Sequence, residues 1–401
     1  MLEELFYIHR RTVEDVPLKF KRYLHGRIDW NSLHVCITGY RGTGKTTMLL
    51  QHYAEKYKDV EKCLYVSADN VEVSAIGLFR IASEYFKFGG EAIIIDEIHK
   101  YPDWEIELKN IIDTFKGKRV LVSGSSSLHL KMGKADLSRR VVYYNLQELS
   151  FREYLELKEG LLFPALSLDD IIGHHVKISG DLSKGRPILK YFRNYLSTGA
   201  YPFIMEGEPT YLSRLLNVIE KVIYEDIAVA GDMKQSSIPV LKKILWLIAS
   251  SVPFQVNIDK MSREIGISKE YLYNYLEYLD RAGMINSIAS EGRGYRLVRK
   301  PSKILMANSN ILFAINSSMM SEAVKGTVRE TFFVSQTGNI CKTTLSDEGD
   351  FRVNDRYVFE IGGPGKGDDQ IKGIDDSYIA ADGIEVGFGN KIPLYLFGFL
   401  Y

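Results

Sequence analysis

"GYRGTGKTT", residues 39–47, is the stretch of this sequence that decides the fold of its first third. It contains the pattern G-x-x-x-x-G-K-T, and the apolar run "LHVCITG" at 33–39 leads directly into it. The segment that follows, "TTMLLQHYAEKY" at 46–57, has the composition of a helix. A buried strand, a glycine-rich turn and a helix are therefore expected in succession.

Further apolar runs of the same kind predict a parallel sheet. They are short, rich in Ile, Val and Leu, and separated by helical segments. Such nearly continuous apolar runs are typical of strands covered on both faces. The prediction is an α/β fold with a doubly wound parallel sheet of the P-loop NTPase kind. The runs lie at 62–69, 91–97, 119–125 and 140–146.

The glycine-rich turn has the chemistry of a phosphate site. Glycines let the backbone wrap closely around a phosphate with its N–H groups inward, and the helix N-terminus adds positive charge. Lys45 would reach the β- and γ-phosphates, and the hydroxyl of Thr46 would bind Mg²⁺. ATP and Mg²⁺ are the expected cofactors. The residues assigned to the nucleotide are Gly39, Gly42, Thr43, Gly44, Lys45, Thr46 and Thr47.

"IIIDE" at 93–97 supplies the matching carboxylates. Asp96 is the expected second ligand of Mg²⁺, and Glu97 is expected to orient and deprotonate the attacking water. In the alternative interpretation, the glycines form an ordinary turn and the two carboxylates lie at an exposed end of a strand. His99, two residues further on, is assigned to packing rather than catalysis.

Two other features of this region leave alternatives open. Ser123, Ser125 and Ser126 lie where the fourth run ends, and we favour Ser125 as a sensor of the γ-phosphate; a serine-rich turn is the alternative. Arg139 and Arg140 lie at the start of the fifth run, where an arginine can complete a neighbouring subunit's site as a finger. The alternative is a surface salt bridge.

The middle of the chain changes character. From 149 to about 230 the pattern is helical, and the stretch 257–285 then predicts two short helices around a tight turn. Asn257 and Ser268 can cap these helices, and Gly266 can turn the chain between them. With the β-like segment that follows, this predicts a winged helix-turn-helix. The second helix has one apolar face, formed by Leu272, Tyr275, Leu276 and Leu279.

Charge makes duplex DNA a candidate partner of this module. The segment 291–304 has an excess of four positive charges, whereas the candidate recognition helix, 269–282, is not strongly basic. Weak or nonspecific phosphate contact is therefore favoured over base reading. The alternative is a structural module with a solvated basic wing. The basic residues are Arg293, Arg296, Arg299, Lys300 and Lys303.

"EIGGPGKG" at 360–367 is a second glycine-rich stretch, but its spacing excludes a second phosphate loop. Nucleases of the PD-(D/E)xK type use two carboxylates and a lysine two residues after the second one. Asp350 and Glu360 fit the carboxylates, with Glu330 on an upstream helix, while Gly362 occupies the lysine position. Lys366 reaches this site only if the glycine loop folds back. A degenerate nuclease-like site is predicted, with an active nuclease as the alternative.

Together, several stretches resemble the prokaryotic AAA-type ATPases that carry a C-terminal domain of uncharacterised function. These are "GYRGTGKTT", "IIIDEIHKYPDWE", "LVSGSSSLHL", "LSRRVVYYNLQELSFREYL" and "YLSTGAYPF". The resemblance covers nearly the whole chain and makes Arg140 the matching arginine. It implies an ATPase core (1–148), a helical lid (149–232), a winged helix (233–305) and a restriction-nuclease-like α/β domain (306–401).

Composition limits the remaining possibilities. Lys and Arg total 51 among 401 residues, as do Asp and Glu, so nucleic acid would be bound by a local patch. Three cysteines without CxxC spacing favour a reducing compartment over a disulfide scaffold or zinc site. The N-terminus lacks a signal-peptide pattern, and we expect a cytoplasmic protein without membrane contact. The C-terminal "IPLYLFGFLY" is predicted to be a buried strand.

The main hypothesis is an Mg²⁺-dependent ATPase that couples nucleotide state to DNA binding. Two rivals stay open: an ATP-regulated nuclease, and a slow nucleotide-dependent switch that binds a protein partner. Self-assembly is also open, because an arginine finger requires a neighbouring subunit.

Overall fold

In the computed structural model, the chain divides into two units, Met1–Gln147 and Glu148–Tyr401. The structure describes residues 2–125, 137–228, 233, 235–251, 254–255, 257–290 and 302–401. Within those ranges, no helix has the length and apolar character needed to cross a bilayer.

The first unit is built on a five-stranded parallel sheet, as predicted. Its strands are β1 (His34–Gly39), β2 (Cys63–Ser67), β3 (Ala92–Asp96), β4 (Arg119–Ser123) and β5 (Val142–Leu146), in the order β2-β3-β4-β1-β5. The carboxyl ends of parallel strands meet at one edge of a sheet. The ends of β1, β3 and β4 are therefore neighbours, although they are far apart in sequence.

Apolar residues cover both faces of this sheet. Ile93 and Ile95 of β3 belong to one buried cluster, while Ala92 and Ile94 belong to the other. Successive side chains of a strand point to opposite faces, so both faces of β3 are packed. The helices of the unit are α1 (Glu3–Glu14), α2 (Lys45–Lys56), α3 (Val71–Ile76), α4 (Leu78–Lys87) and α5 (Trp104–Thr114).

The second unit begins with the helical segment that the sequence predicted. Ser150 and Ser167 each begin a helix with a capping box, in which serine and an acidic residue three positions later satisfy each other's backbone N–H. The helices are α6 (Phe151–Glu159), α7 (Leu168–Ser183), α8 (Ile188–Thr198), α9 (Tyr211–Lys221) and α10 (Ile238–Ser250).

Two short helices and a small sheet follow. Asn257 caps α11 (Ile258–Ile265), Gly266 ends it in a left-handed conformation, and Ser268 caps α12 (Lys269–Arg281), all as expected. Strands β6 (Phe254–Gln255), β7 (Ile285–Ile288) and β8 (Lys303–Met306) form an antiparallel sheet in the order β6-β8-β7. That this arrangement is a winged helix stays a prediction.

The last part of the unit is a mixed sheet in the order β13-β12-β11-β10-β9, antiparallel from β9 to β11 and parallel from β11 to β13. The C-terminal strand prediction is wrong, because Leu394–Phe399 forms a 3₁₀ helix. The run is buried on all sides, and periodicity does not distinguish a strand from a helix in such a run. The elements are α13 (Ser309–Ser318), α14 (Lys325–Thr337), β9 (Thr343–Leu345), β10 (Phe351–Val353), β11 (Tyr357–Gly362), β12 (Ser377–Ala381) and β13 (Lys391–Pro393).

Candidate functional site

The loop between β1 and α2 has the backbone geometry of a phosphate-binding turn. Gly42 and Gly44 have φ angles of 85° and 94°, a region that side chains with a β-carbon rarely adopt. Gly44 directly precedes α2, so the loop leads into the positive end of the helix dipole, where an anion is stabilised. Lys45 is 4% exposed, and its Nζ donates to the carbonyl oxygens of Gly39 at 3.0 Å and Tyr40 at 2.9 Å. The ammonium group therefore lies inside the loop.

Asp96, at the end of β3, is a buried carboxylate that accepts from several hydroxyl groups. Thr46 Oγ1 donates to its Oδ2 at 2.7 Å, and the Tyr65 hydroxyl donates to the same oxygen at 2.9 Å. Ser123 Oγ donates to Oδ1. Burial, and secondarily the charge of Asp96, raise the pKa of the Tyr65 phenol. Thr46 and Asp96, the two expected ligands of Mg²⁺, thus lie in direct contact.

Glu97 follows Asp96 and is held at both its backbone and its side chain. Its φ of 51° is left-handed, an uncommon conformation for a residue with a β-carbon, and such strain concentrates at functional sites. Its N–H donates to Ser123 Oγ at 3.1 Å. Its Oε2 lies 3.5 Å from His99 Nε2.

The serine that contacts Asp96 and Glu97 is Ser123, whereas the sequence favoured Ser125. The backbone N–H of Ser125 donates to His99 Nδ1 at 3.3 Å. The sensor role of Ser125 stays a prediction. Strand order would have been the signal for Ser123, because β4 lies next to β3 and Ser123 is its last residue.

Sequence reasoning also missed Tyr65 and Arg22. Tyr65 lies on β2, directly beside β3, and an isolated tyrosine in an apolar strand is an ordinary core residue. Arg22 is 5% exposed and donates to the carbonyl oxygens of Thr43 and Gln147, the latter at 2.8 Å. It therefore joins the phosphate-type loop to the segment that follows β5. No motif in the sequence singled Arg22 out.

Arg140 makes an ion pair within its own chain. Its Nε lies 2.8 Å from Asp113 Oδ1, and its Nη2 donates to Oδ2 at 3.2 Å. The pKa of the Asp113 carboxyl is lowered, mainly by its hydrogen bonds from Arg140. The surface salt bridge expected as the alternative is therefore present, and the role of Arg140 as a finger stays a prediction.

The basic segment expected to contact DNA lies mostly outside the described residues: Arg293, Arg296, Arg299 and Lys300 fall there. Lys303 is described, and the expectation that it belongs to a basic wing suited to phosphate contact is wrong. It begins β8, is buried, and forms an ion pair with Glu330 of α14. A charge already compensated inside the protein does not attract phosphate from solution.

The acidic residues assigned to the nuclease-like site lie near one another in the fold. Glu330 and Glu360 are both buried, and each is within electrostatic reach of the other or of Asp350. Asp350 Oδ2 accepts from the N–H of Ile361 at 2.7 Å. Burial raises the pKa of Glu330 and of Glu360, while Lys303 and Lys366 respectively oppose the rise.

The loop "EIGGPGKG" folds back, so that Lys366 reaches Glu360. The N–H of Lys366 donates to the Gly363 carbonyl at 3.1 Å, and its Nζ forms an ion pair with Glu360. A β-carbon on Gly362 would lie 2.5 Å from both Cβ and Cγ of Lys366. Glycine at the usual lysine position thus makes room for a lysine that arrives from four residues further on.

Metal binding by this cluster is not evident from its geometry. Throughout the described part of the chain, no group of three or more His, Cys, Asp or Glu side chains is arranged to hold a metal ion. Mg²⁺ is often held by only one or two carboxylates with water, so the cluster remains open to it.

Comparison with known proteins gives one family match around the first unit and one within the second. Residues 31–155 match the family model described as an AAA domain, and residues 189–321 match that of a domain of unknown function. An uncharacterized protein of Methanocaldococcus jannaschii is 27% identical over 67% of this chain and 59% of its own length. The DNA repair protein RadA of Campylobacter jejuni is 26% identical over 48% of each chain. The chain thus spans about half to three fifths of the length of these relatives.

Solved structures show only a distant likeness. The replication initiator DnaA bound to AMPPCP and single-stranded DNA is 14% identical, with a TM-score of 0.29, over 70% of this chain and 88% of that one. The Hsp104–ADP complex of S. cerevisiae has a TM-score of 0.28 over 70% of this chain and 39% of that one. These scores are too low to bear on function. The family match and the parallel sheet support an AAA-type, P-loop ATPase domain in the first unit.

Proposed function

We propose that this chain is an Mg²⁺-dependent ATPase whose site is the loop 39–47 with Asp96 and Glu97. The observation that carries the proposal is the 2.7 Å hydrogen bond from Thr46 to Asp96. It joins the hydroxyl that follows the loop lysine to the carboxylate at the end of β3. These two groups hold the metal in P-loop enzymes.

The chemistry follows from the residues around that bond. The N–H groups of the loop and the ammonium of Lys45 donate to the phosphate oxygens of ATP. Thr46 and Asp96 would hold Mg²⁺, which would supply positive charge that offsets the charge of the phosphates. Glu97 accepts a proton from the attacking water and directs that water toward the γ-phosphorus. Ser123 supports both carboxylate residues, through the side chain of Asp96 and the backbone of Glu97.

We further propose that the second unit binds duplex DNA in a nucleotide-dependent way. The capped helices α11 and α12 and the sheet β6-β8-β7 support a winged helix. Without Lys303, the proposal assigns phosphate contact to the other positive residues of the basic segment, Arg293, Arg296, Arg299 and Lys300. Four contacts of this kind give binding that weakens steeply with salt.

The test is steady-state ATP hydrolysis with and without duplex DNA, with Glu97→Gln as the control. Both the ATPase proposal and the DNA proposal are supported if DNA stimulates hydrolysis and if Glu97→Gln still binds ATP without hydrolysing it. Hydrolysis that is indifferent to DNA, with no DNA binding at low salt, refutes the DNA part and favours the protein-binding switch. Failure of the wild-type protein to bind or hydrolyse ATP in Mg²⁺ refutes the whole proposal.

A metal-dependent nuclease is the second candidate, and the position of Lys366 favours it. A lysine ammonium beside Glu360, near Asp350, is the arrangement in which such enzymes position and activate water. The test is Mg²⁺-dependent cleavage of DNA by the wild type, by Asp350→Asn and by Lys366→Met. Cleavage lost in both variants while ATP binding persists supports a nuclease, and absence of cleavage by the wild type refutes it.

A further inference from the structure

His99 lies between two elements of the nucleotide site. It belongs to the short 3₁₀ helix Ile98–Lys100 that directly follows Glu97, and its side chain is 9% exposed. One ring nitrogen, Nε2, lies 3.5 Å from Glu97 Oε2, and the other, Nδ1, lies 3.3 Å from the N–H of Ser125. The imidazole therefore stands between the carboxylate after β3 and the backbone after β4.

The contact with Ser125 determines which nitrogen carries the proton. A backbone N–H only donates, so Nδ1 accepts and is unprotonated when the ring is neutral. The proton of a neutral His99 is then on Nε2, which faces Glu97. At 3.5 Å this contact is long for a hydrogen bond, and catalytic hydrogen bonds are often long before substrate is bound.

We propose that His99 is a positioning residue for Glu97, and that the backbone at Ser125 orients its ring. This inference rests on the proposed ATPase function, in which Glu97 activates water. The N–H of Glu97 is held by Ser123 Oγ, which leaves the side-chain torsions as the freedom that must be restrained. With Oε2 directed at the imidazole, Oε1 is the oxygen assigned to the attacking water.

The arrangement also links the two strand ends chemically. Ser125 lies two residues beyond β4, so its contact with His99 joins the chain after β4 to the ring that faces the Glu97 carboxylate. This role differs from packing, because it requires a donor at Nε2 rather than only the volume of the ring.

The test compares His99→Phe, which keeps an aromatic ring, although a larger one, but has no donor, with His99→Gln, whose side-chain amide can donate. Because misplacing a catalytic group by about 1 Å costs up to about 100-fold, kcat for ATP should fall about 10- to 100-fold in His99→Phe. KM and the affinity for ATP should stay near wild type. His99→Gln should recover most of kcat.

Two controls separate positioning from folding. His34→Phe changes a half-buried histidine at the start of β1, at the opposite edge of the sheet, and should leave kcat unchanged. In a Glu97→Gln background, His99→Phe should cause no further loss, because the carboxylate that it orients is already gone.

The outcomes distinguish this inference from the proposed function. If the wild type hydrolyses ATP and Glu97→Gln does not, but His99→Phe has wild-type kcat, only the inference is overturned. Equal losses in His99→Phe and His99→Gln with normal ATP affinity also overturn it, because the donor would then be irrelevant. If the wild type does not hydrolyse ATP, the proposed function and this inference fall together.

Discussion

Ser123→Ala is the most informative single change at the nucleotide site. Ser123 Oγ donates to Asp96 Oδ1 and accepts from the N–H of Glu97, so the variant removes two hydrogen bonds with one atom. Asp96 keeps its bonds from Thr46 and Tyr65, so the folded site should survive.

The magnitude follows from those two bonds. A hydrogen bond to a charged group contributes about 1.5–3 kcal/mol, and leaving the part-buried N–H of Glu97 unpaired costs up to about 1–3 kcal/mol, the range for a fully buried donor. Only part of this free energy stabilises the transition state. A loss of about 1.4–2.8 kcal/mol of transition-state stabilisation corresponds to a 10- to 100-fold loss of kcat/KM. We therefore expect Ser123→Ala to reduce kcat/KM for ATP about 10- to 100-fold.

The assay is Mg²⁺-dependent release of phosphate from ATP, with Ser125→Ala as the matched control. Ser125 contacts His99 through its backbone N–H, which alanine retains, so if that contact is its role at the site, this control should lose less activity than Ser123→Ala. Wild-type activity in Ser123→Ala would refute the argument. A larger loss in Ser125→Ala than in Ser123→Ala would instead favour Ser125 as the sensor.

Two further predictions concern stability. Gly362→Ala should place a β-carbon 2.5 Å from Lys366 and displace it, lowering the free energy of unfolding of the second unit by about 1–3 kcal/mol in urea. Gly365→Ala, where a β-carbon meets nothing within 4 Å, is the control, and equal losses in the two variants would contradict the argument. Burial lowers the pKa of His9 and of His52 to about 4, so unfolding takes up protons below the unfolded value of about 6.5. The first unit should therefore lose about 3–4 kcal/mol between pH 7 and pH 5 in urea titrations, and equal stability at both pH values would rule this out.

Local patterns in the sequence determined the core of the nucleotide site. The spacing of Gly39, Gly44, Lys45 and Thr46 predicts the loop, because each residue acts within one turn of chain. The helix caps at Asn257, Ser150 and Ser268 obey the same kind of short-range rule, and the capping side chain bonds a backbone N–H three residues on.

Only the tertiary structure decided which side chains complete those sites. Ser123 and Tyr65 reach Asp96 because β2 and β4 flank β3, an order that parallel crossover connections leave open in the sequence. Whether a charged side chain faces solvent or a buried partner also depends on residues that are distant in the chain.

Lys303 illustrates that point, because in sequence it belongs to a basic run. In the fold it is buried and forms an ion pair with Glu330. Such a pair between residues distant in the chain forms only when packing brings the two residues together. Sequence by itself thus determined the motifs and their chemistry, whereas the packing of strands and helices determined their partners.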